Sequence, residues 1–222
     1  MYFSKITLQK NIEVEKLAKI LRRNDYYFHQ HVWQLFKSAG GSRDFLYRQE
    51  KQDWPCFYIL SQREPQDNER IWEVQIKDFA PKLQVGQRLA FALRANPVRT
   101  KRQEVDGKLH KMRCDVVMNA RNNYEKEQRP PLGDLMQQAG WEWLQARMQQ
   151  NGFEVNSSQL RIDSYQQHRL FKKNAKEPIR FSTLDFDGIL TVIQVEAFLK
   201  MLYSGIGSAR SFGCGMMLVR KI

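Results

Sequence analysis

Apolar residues recur along the chain with two spacings, every second residue and about every 3.6 residues, which separate strands from helices. Tyr2 to Gln9 alternate as a strand does. Val14, Leu17, Ala18 and Leu21 then fall on one face of an amphipathic helix. The stripe resumes at Phe28, Val32 and Leu35 after an interruption at Asn24-Asp25, where Asp25 would act as a fresh N-cap, and Lys37–Gly41 ends it. Strand-like runs follow at Phe45–Glu50 and Cys56–Ser61, then a polar loop from Arg63 to Arg70, then a strand at Trp72–Phe79. Pro81–Gln87 reads as a linker.

The second half opens on an apolar strand, Arg88–Ala95. Arg94–Arg129 is polar and basic, with ten Lys/Arg against five Asp/Glu. A helix is predicted from Gly133 to Gln150, between Pro130-Pro131 and Asn151-Gly152, with Met136, Ala139, Trp143 and Ala146 on one face. Strands are predicted at Glu154–Ile162, Ser164–Phe171, Ile179–Leu184 and Asp187–Ile193, a helix at Gln194–Tyr203 and a last strand at Cys214–Arg220.

Both halves thus run strand, helix, strands, helix and strand, although the second helix of the first half is short or degraded. That order fits an α+β chain of two tandem ferredoxin-like (RRM-like) domains, at residues 1–84 and 88–222. The length of 222 residues suits one large or two small domains.

Charge changes the picture next. The formal net charge is +12, with a pI near 9.7. Such an excess speaks about partners rather than fold, and nucleic acid is the obvious polyanion. No apolar run is long enough to span a bilayer, and residues 1–5 do not resemble a signal peptide, so a cytoplasmic protein without membrane contact is expected. Cys56, Cys114 and Cys214 are odd in number and widely spaced, which argues against a disulfide framework or a zinc pair. His29, His31, His110 and His168 form no zinc motif, and no metal or other cofactor is expected.

Four constellations could carry chemistry. In Tyr26-Tyr27-Phe28-His29-Gln30-His31-Val32-Trp33, residues three or four apart share a helical face, so Tyr26, His29 and Trp33 project together, one turn after Arg22. Histidine transfers protons near neutral pH, and an RNA strand brings its own nucleophile, the 2′-OH. Spacing alone, however, fits a surface or hydrogen-bonded histidine better than a catalyst, and His31 faces elsewhere on the helix. Gly205-Ile-Gly207-Ser-Ala-Arg210-Ser-Phe-Gly213-Cys-Gly215 holds four glycines in eleven residues. Its backbone could approach a ligand closely, with Arg210 and Ser208 near a phosphate. It is not a dinucleotide fingerprint, because the sixth position is Arg210 and the loop follows a helix. A tight helix-to-strand turn explains it equally well. Arg169, Lys172, Lys173, Lys176 and Arg180 make a basic loop between two strands, able to track phosphates or simply to be a solvated tip. Arg94–Arg102 runs from a strand into a basic turn and is unspecific.

Five segments taken together resemble the CasE family of CRISPR-associated endoribonucleases. They are Met1-Tyr-Phe-Ser-Lys-Ile, Asp25–Phe36, Arg43-Asp-Phe-Leu-Tyr47, Leu93-Arg-Ala-Asn-Pro-Val-Arg-Thr100 and Gly205–Gly215, in family order across nearly the whole chain. The resemblance implies tandem ferredoxin-like domains. It also implies metal-free cleavage of CRISPR precursor RNA at the base of the repeat hairpin, leaving a 2′,3′-cyclic phosphate and a 5′-OH. It implies retention of the crRNA and partnership with other Cascade subunits, with no DNA bound directly. His29 matches the family's catalytic histidine and Tyr26 its partner. Arg43, Arg169, Lys172, Lys173, Lys176, Arg180, Arg210, Gly205, Gly207, Gly213 and Gly215 are expected to contact RNA.

Two other readings compete. A non-catalytic RNA-hairpin-binding subunit would share the fold, but the aromatic RNP1 pattern of RRM proteins is absent. An enzyme acting on a nucleotide would need a phosphate-cradling glycine spacing that the loop lacks.

Overall fold

A computed structural model describes residues 1–21, 25–36, 43–50, 52–105, 108–171 and 177–222. Its first half contains β1 (Tyr2–Leu8), α1 (Val14–Leu21), α2 (Asp25–Gln34), β2 (Phe45–Gln49), β3 (Cys56–Ser61) and β4 (Trp72–Asp78). The strands form one sheet in the order β2-β3-β1-β4, and every neighbouring pair is antiparallel. Alternation in β1 turns Ser4, Ile6 and Leu8 inward, and all three are buried. Ile6 and Leu8 share a core with Val32, Leu35 and Phe36 at the end of the α2 segment and with Phe57 and Ile59 of β3. Each such side chain contributes about 1.5–3 kcal/mol by leaving water. Residues 62–71 cross from β3 to β4 without a helix, so the degraded second helix expected from the sequence is absent outright.

The second half contains β5 (Arg88–Ala95), β6 (Val98–Val105), β7 (Lys108–Asp115), α3 (Val116–Arg121), α4 (Leu132–Met148), β8 (Phe153–Leu170), β9 (Ile179–Val192), α5 (Val195–Ser204) and β10 (Met217–Lys221). The sheet order is β10-β5-β9-β8. In each half the last strand flanks the first, and the third separates the first from the second, so the two topologies are the same.

Two sequence expectations need correction. Arg94–Arg129, read from the sequence only as a polar, basic stretch, holds regular elements: β6 and β7 form a separate ribbon with Val98 opposite Asp115, and α3 follows directly. Among its described residues the ribbon carries no buried stripe, and Leu109 and Met112 on it are exposed. The four short strands expected between 154 and 193 are two long ones, β8 and β9. Register shifts at Val155/Leu160 and Asp163/Gln166 break the alternation without ending the strand, as bulges do. Ser164 sits at the second shift with φ +57°.

The two sheets are packed against each other. Leu46 and Leu60, on the N-terminal sheet, bury themselves with Met216 beside Tyr203 and Leu218. Phe79 meets Tyr203 edge-on at 6.2 Å between centroids. Among the described residues no helix is long and apolar enough to cross a membrane.

Candidate functional site

The glycine-rich loop is where the two halves converge. Its centre is a short 3-10 turn, Arg210–Phe212, which lies against both α2 and β2. Ser211 accepts a hydrogen bond from the Tyr47 hydroxyl at its carbonyl, 3.1 Å, and another from Arg43 Nη1 at its hydroxyl, 3.3 Å. Arg210 folds back on the loop, donating Nε to the Gly207 carbonyl at 2.9 Å and Nη1 to the Ser204 carbonyl at 2.6 Å. The end of β5 and the residue that follows it close the other side. Gly215 N donates to Arg94 O at 2.7 Å, and Asn96 Nδ2 donates to Ser208 Oγ at 3.3 Å.

These contacts show what the glycines do for the fold. At Gly215 (φ +86°) a Cβ would stand 2.6 Å from the Ile206 carbonyl oxygen, which no side chain tolerates. At Gly213 it would press on the Tyr47 ring at 3.2 Å. The close approach read from the sequence is therefore, at these two positions, an approach to protein. Gly205 and Gly207 in addition line an open groove.

The α2 backbone carries Tyr26 and His29, and the side chains of both lie outside the described part of the structure. What holds this helix near the turn is visible at its C-terminal end. Arg63 Nη2 donates to the Phe36 carbonyl at 3.1 Å, and the same guanidinium grips Asp44 through Nε (2.5 Å) and Nη2 (3.0 Å). That hydrogen-bonded guanidinium holds the Asp44 carboxyl below its usual range. The stretch entering β2 is thereby fixed beside the end of the α2 segment, and Arg43 comes with it.

Arg43 lies close enough to Arg210 for the two positive charges to repel. Burial, and then the Arg210 charge, lower the Arg43 pKa. Both arginines line a groove of about 670 Å³ with Lys200 and Ser204, along with Asp44 and Glu196. Cations brought together at partial desolvation favour an anion between them.

A second basic feature stands at the base of the β8–β9 hairpin, where Arg169 and Arg180 are exposed and directly opposite each other. Like charges so placed destabilise a sheet unless an anion joins them. Lys172, Lys173 and Lys176 lie outside the described residues. Beneath the arginines, the His168 ring stacks on Phe181 (4.7 Å, 11°) and Phe181 stacks on Phe212 (5.1 Å, 23°), with His168 Nε2 2.9 Å from Thr183 Oγ1. This ladder joins the hairpin base to the glycine-rich turn. Sequence reasoning missed it because its members are far apart in the chain and meet only through cross-strand register.

Other expected residues have plain structural places. His31 is buried, its Nδ1 3.8 Å from Glu69. Cys56 and Cys214 are buried and Cys114 is partly exposed, all as free thiols, and burial pushes the Cys214 thiol up to about 12. Among the described residues no group of three His, Cys, Asp or Glu is placed to hold a metal ion.

The tandem ferredoxin-like fold of this chain matches solved CRISPR proteins over nearly its whole length. The structure of the CRISPR endoribonuclease Cse3 bound to a 19-nucleotide RNA superposes with a TM-score of 0.65 at 24% identity, covering 99% of this chain and 98% of that one. The crystal structure of Cas6e from Escherichia coli K-12 gives 0.61 at 24% identity with full coverage of both chains. A family model described as CRISPR associated protein matches residues 1–221. The Cascade subunit CasE of Escherichia coli K12 is 29% identical over 98% of each chain. The CRISPR-associated endoribonuclease Cse3 of Thermus thermophilus is 28% identical over 64% of this chain and 60% of its own length. The chain belongs to the CasE family of CRISPR-associated proteins.

Proposed function

We propose that this protein is a metal-independent endoribonuclease that cuts CRISPR precursor RNA at the base of the repeat hairpin. It then keeps the crRNA and joins other Cascade subunits in the cytoplasm, with no direct contact to DNA or membrane. The observation that carries this reading is the meeting of α2, the helix of Tyr26 and His29, with the Arg210–Phe212 turn beside Arg43. Relatives named as an endoribonuclease and as a Cascade subunit support it. The units are 1–84 and 88–222, with the scissile phosphate at their junction.

In this mechanism the 2′-OH loses its proton as its oxygen bonds to phosphorus. The bond from phosphorus to the 5′ oxygen breaks, and that oxygen takes up a proton. The products are a 2′,3′-cyclic phosphate and a 5′-OH. His29 transfers a proton, and Tyr26 orients the 2′-OH or His29. Arg43 and Arg210 stabilise the extra negative charge on the phosphoryl oxygens, the role that positioned cations fill in phosphoryl chemistry. Arg169 and Arg180, with Lys172, Lys173 and Lys176, grip the stem. Gly205 and Gly207 let the backbone come close, and Gly213 and Gly215 shape the turn.

The test is a repeat hairpin with a single 2′-deoxy residue before the scissile phosphate, compared with the all-ribose RNA in EDTA. The all-ribose RNA should be cut and the deoxy RNA bound intact. Binding of both without scission would instead assign a non-catalytic hairpin-binding subunit.

A further inference from the structure

Beyond the groove at Arg43, a second groove of about 470 Å³ opens between the end of α4 and the junction of α5 with the glycine-rich loop. Gln150 and Asn151 line one side, and Lys200 and Ser204 of α5 the other, with Gly205 and Gly207 between. Its cations are Arg147, Lys200 and Arg210, and among the described residues no carboxylate lines it. Lys200, Gln150 and Ser204 are exposed.

The positive charges here are built in rather than neutralised. Arg147 lies over the Trp143 ring at 4.1 Å and spends Nη1 and Nη2 on the carbonyls of Trp143 and Val98. Among the described residues its partners in these contacts are dipoles and a ring, not a carboxylate. Arg210 uses Nε and Nη1 within the loop, and Nη2 takes no part in those bonds. Lys200, Ser204 and Arg210 line this groove and also the groove that holds Arg43. The two grooves therefore adjoin at the end of α5, with Arg43, Arg210, Lys200 and Arg147 along them and the carboxylates Asp44 and Glu196 on the Arg43 side.

We infer that this second groove binds the phosphodiester backbone of the single-stranded RNA flanking the hairpin, carrying it from Arg43 past Arg210 and Lys200 to Arg147. The inference rests on the ribonuclease reading and extends it to a contact outside the stem. A groove of about 470 Å³ suits a single strand better than a duplex. Glycine backbone, a serine hydroxyl and two side-chain amides suit phosphate and sugar oxygens without demanding a base sequence.

The experiment measures Kd against salt for uncleavable 2′-deoxy RNAs. One is the bare hairpin; the others add about eight single-stranded nucleotides on the 5′ or the 3′ side, a length typical of single-strand sites. The wild-type protein should bind one extended RNA more tightly than the bare hairpin. Lys200→Glu and, across the groove, Gln150→Glu should each reduce that gain about threefold to tenfold, and Lys200→Ala should lower the salt slope for that RNA by about 0.7, one phosphate contact. Both positions are exposed, so the variants should fold.

No gain from either extension, a gain untouched by both charge reversals, or an equal loss on bare and extended RNA would each overturn the inference. Unchanged RNA affinities with lost assembly into Cascade would assign the groove to an acidic protein surface instead. If the wild-type protein fails to bind even the bare hairpin, the ribonuclease reading itself is what has failed.

Discussion

Arg94 of β5 and Asp185 of β9 face each other in the C-terminal sheet and form a two-bond ion pair, Nε to Oδ1 at 2.8 Å and Nη2 to Oδ2 at 3.0 Å. The remaining nitrogen, Nη1, reaches the Gln49 carbonyl of β2 at 3.1 Å. One guanidinium thus ties the two sheets together, just behind the glycine-rich turn whose Gly215 binds the Arg94 carbonyl.

Breaking this pair should be expensive, because it strands a desolvated charge. Arg94→Ala or Asp185→Asn should lower unfolding free energy by about 3–5 kcal/mol. Arg94→Lys should recover only part of it, since an ammonium cannot reproduce the fork. Urea denaturation measures both, and a loss below about 1 kcal/mol, the level of an exposed pair, would contradict the role given to Arg94.

The glycines separate backbone strain from crowding. Gly86 (φ +82°) has nothing within 4 Å of an added Cβ, whereas Gly215 (φ +86°) has a carbonyl oxygen at 2.6 Å. Gly86→Ala should cost about 1–2 kcal/mol, the left-handed penalty alone. Gly215→Ala should cost clearly more and weaken hairpin RNA binding, because the turn bearing Arg210 must shift. Equal effects in thermal melts would show that crowding at Gly215 is relieved.

Acid should loosen the approach to β2. The Asp44 carboxyl is held below its ordinary value of 3.8, first by the hydrogen-bonding Arg63 side chain. The folded state therefore takes up this proton less readily than the unfolded state, so the stabilisation is complete above about pH 4, the unfolded value, and fades as pH falls through the lower folded one. Asp44→Asn should remove this part of the pH dependence. A variant and wild type with identical acid unfolding curves would argue against it.

The catalytic pair is tested by separating binding from cutting. His29→Ala should lower the cleavage rate by about 10²–10⁴-fold, the usual worth of a positioned proton-transfer group, and keep hairpin affinity. Tyr26→Phe should keep affinity as well and lose less rate. Single-turnover cleavage decides this, and wild-type rates for His29→Ala would remove His29 from the mechanism.

Much of this protein was legible from local pattern. The strand at residues 2–8, the helix restarting at Asp25, the buried face of α4 at Ala139 and Trp143 and the α5 stripe all follow from periodicity, because each buries one face against one core. The family was legible too, through segments such as Leu93–Thr100 and Gly205–Gly215. Periodicity fell short where side chains do not face a single core. The β6–β7 ribbon has no buried stripe among its described residues to mark it. Register shifts break the alternation along β8 and β9, and Asp185 puts a buried charge inside β9.

The sequence by itself determined the α+β order, the basic character and the placing of Tyr26 and His29 on one helix, because these depend on neighbours within a turn or two. Only the tertiary structure decided that Arg43 and Tyr47 meet Ser211, more than 160 positions away, that His168, Phe181 and Phe212 stack, and that Lys200 lines both grooves. Such contacts depend on strand register and on how two sheets dock, which short-range spacing does not encode.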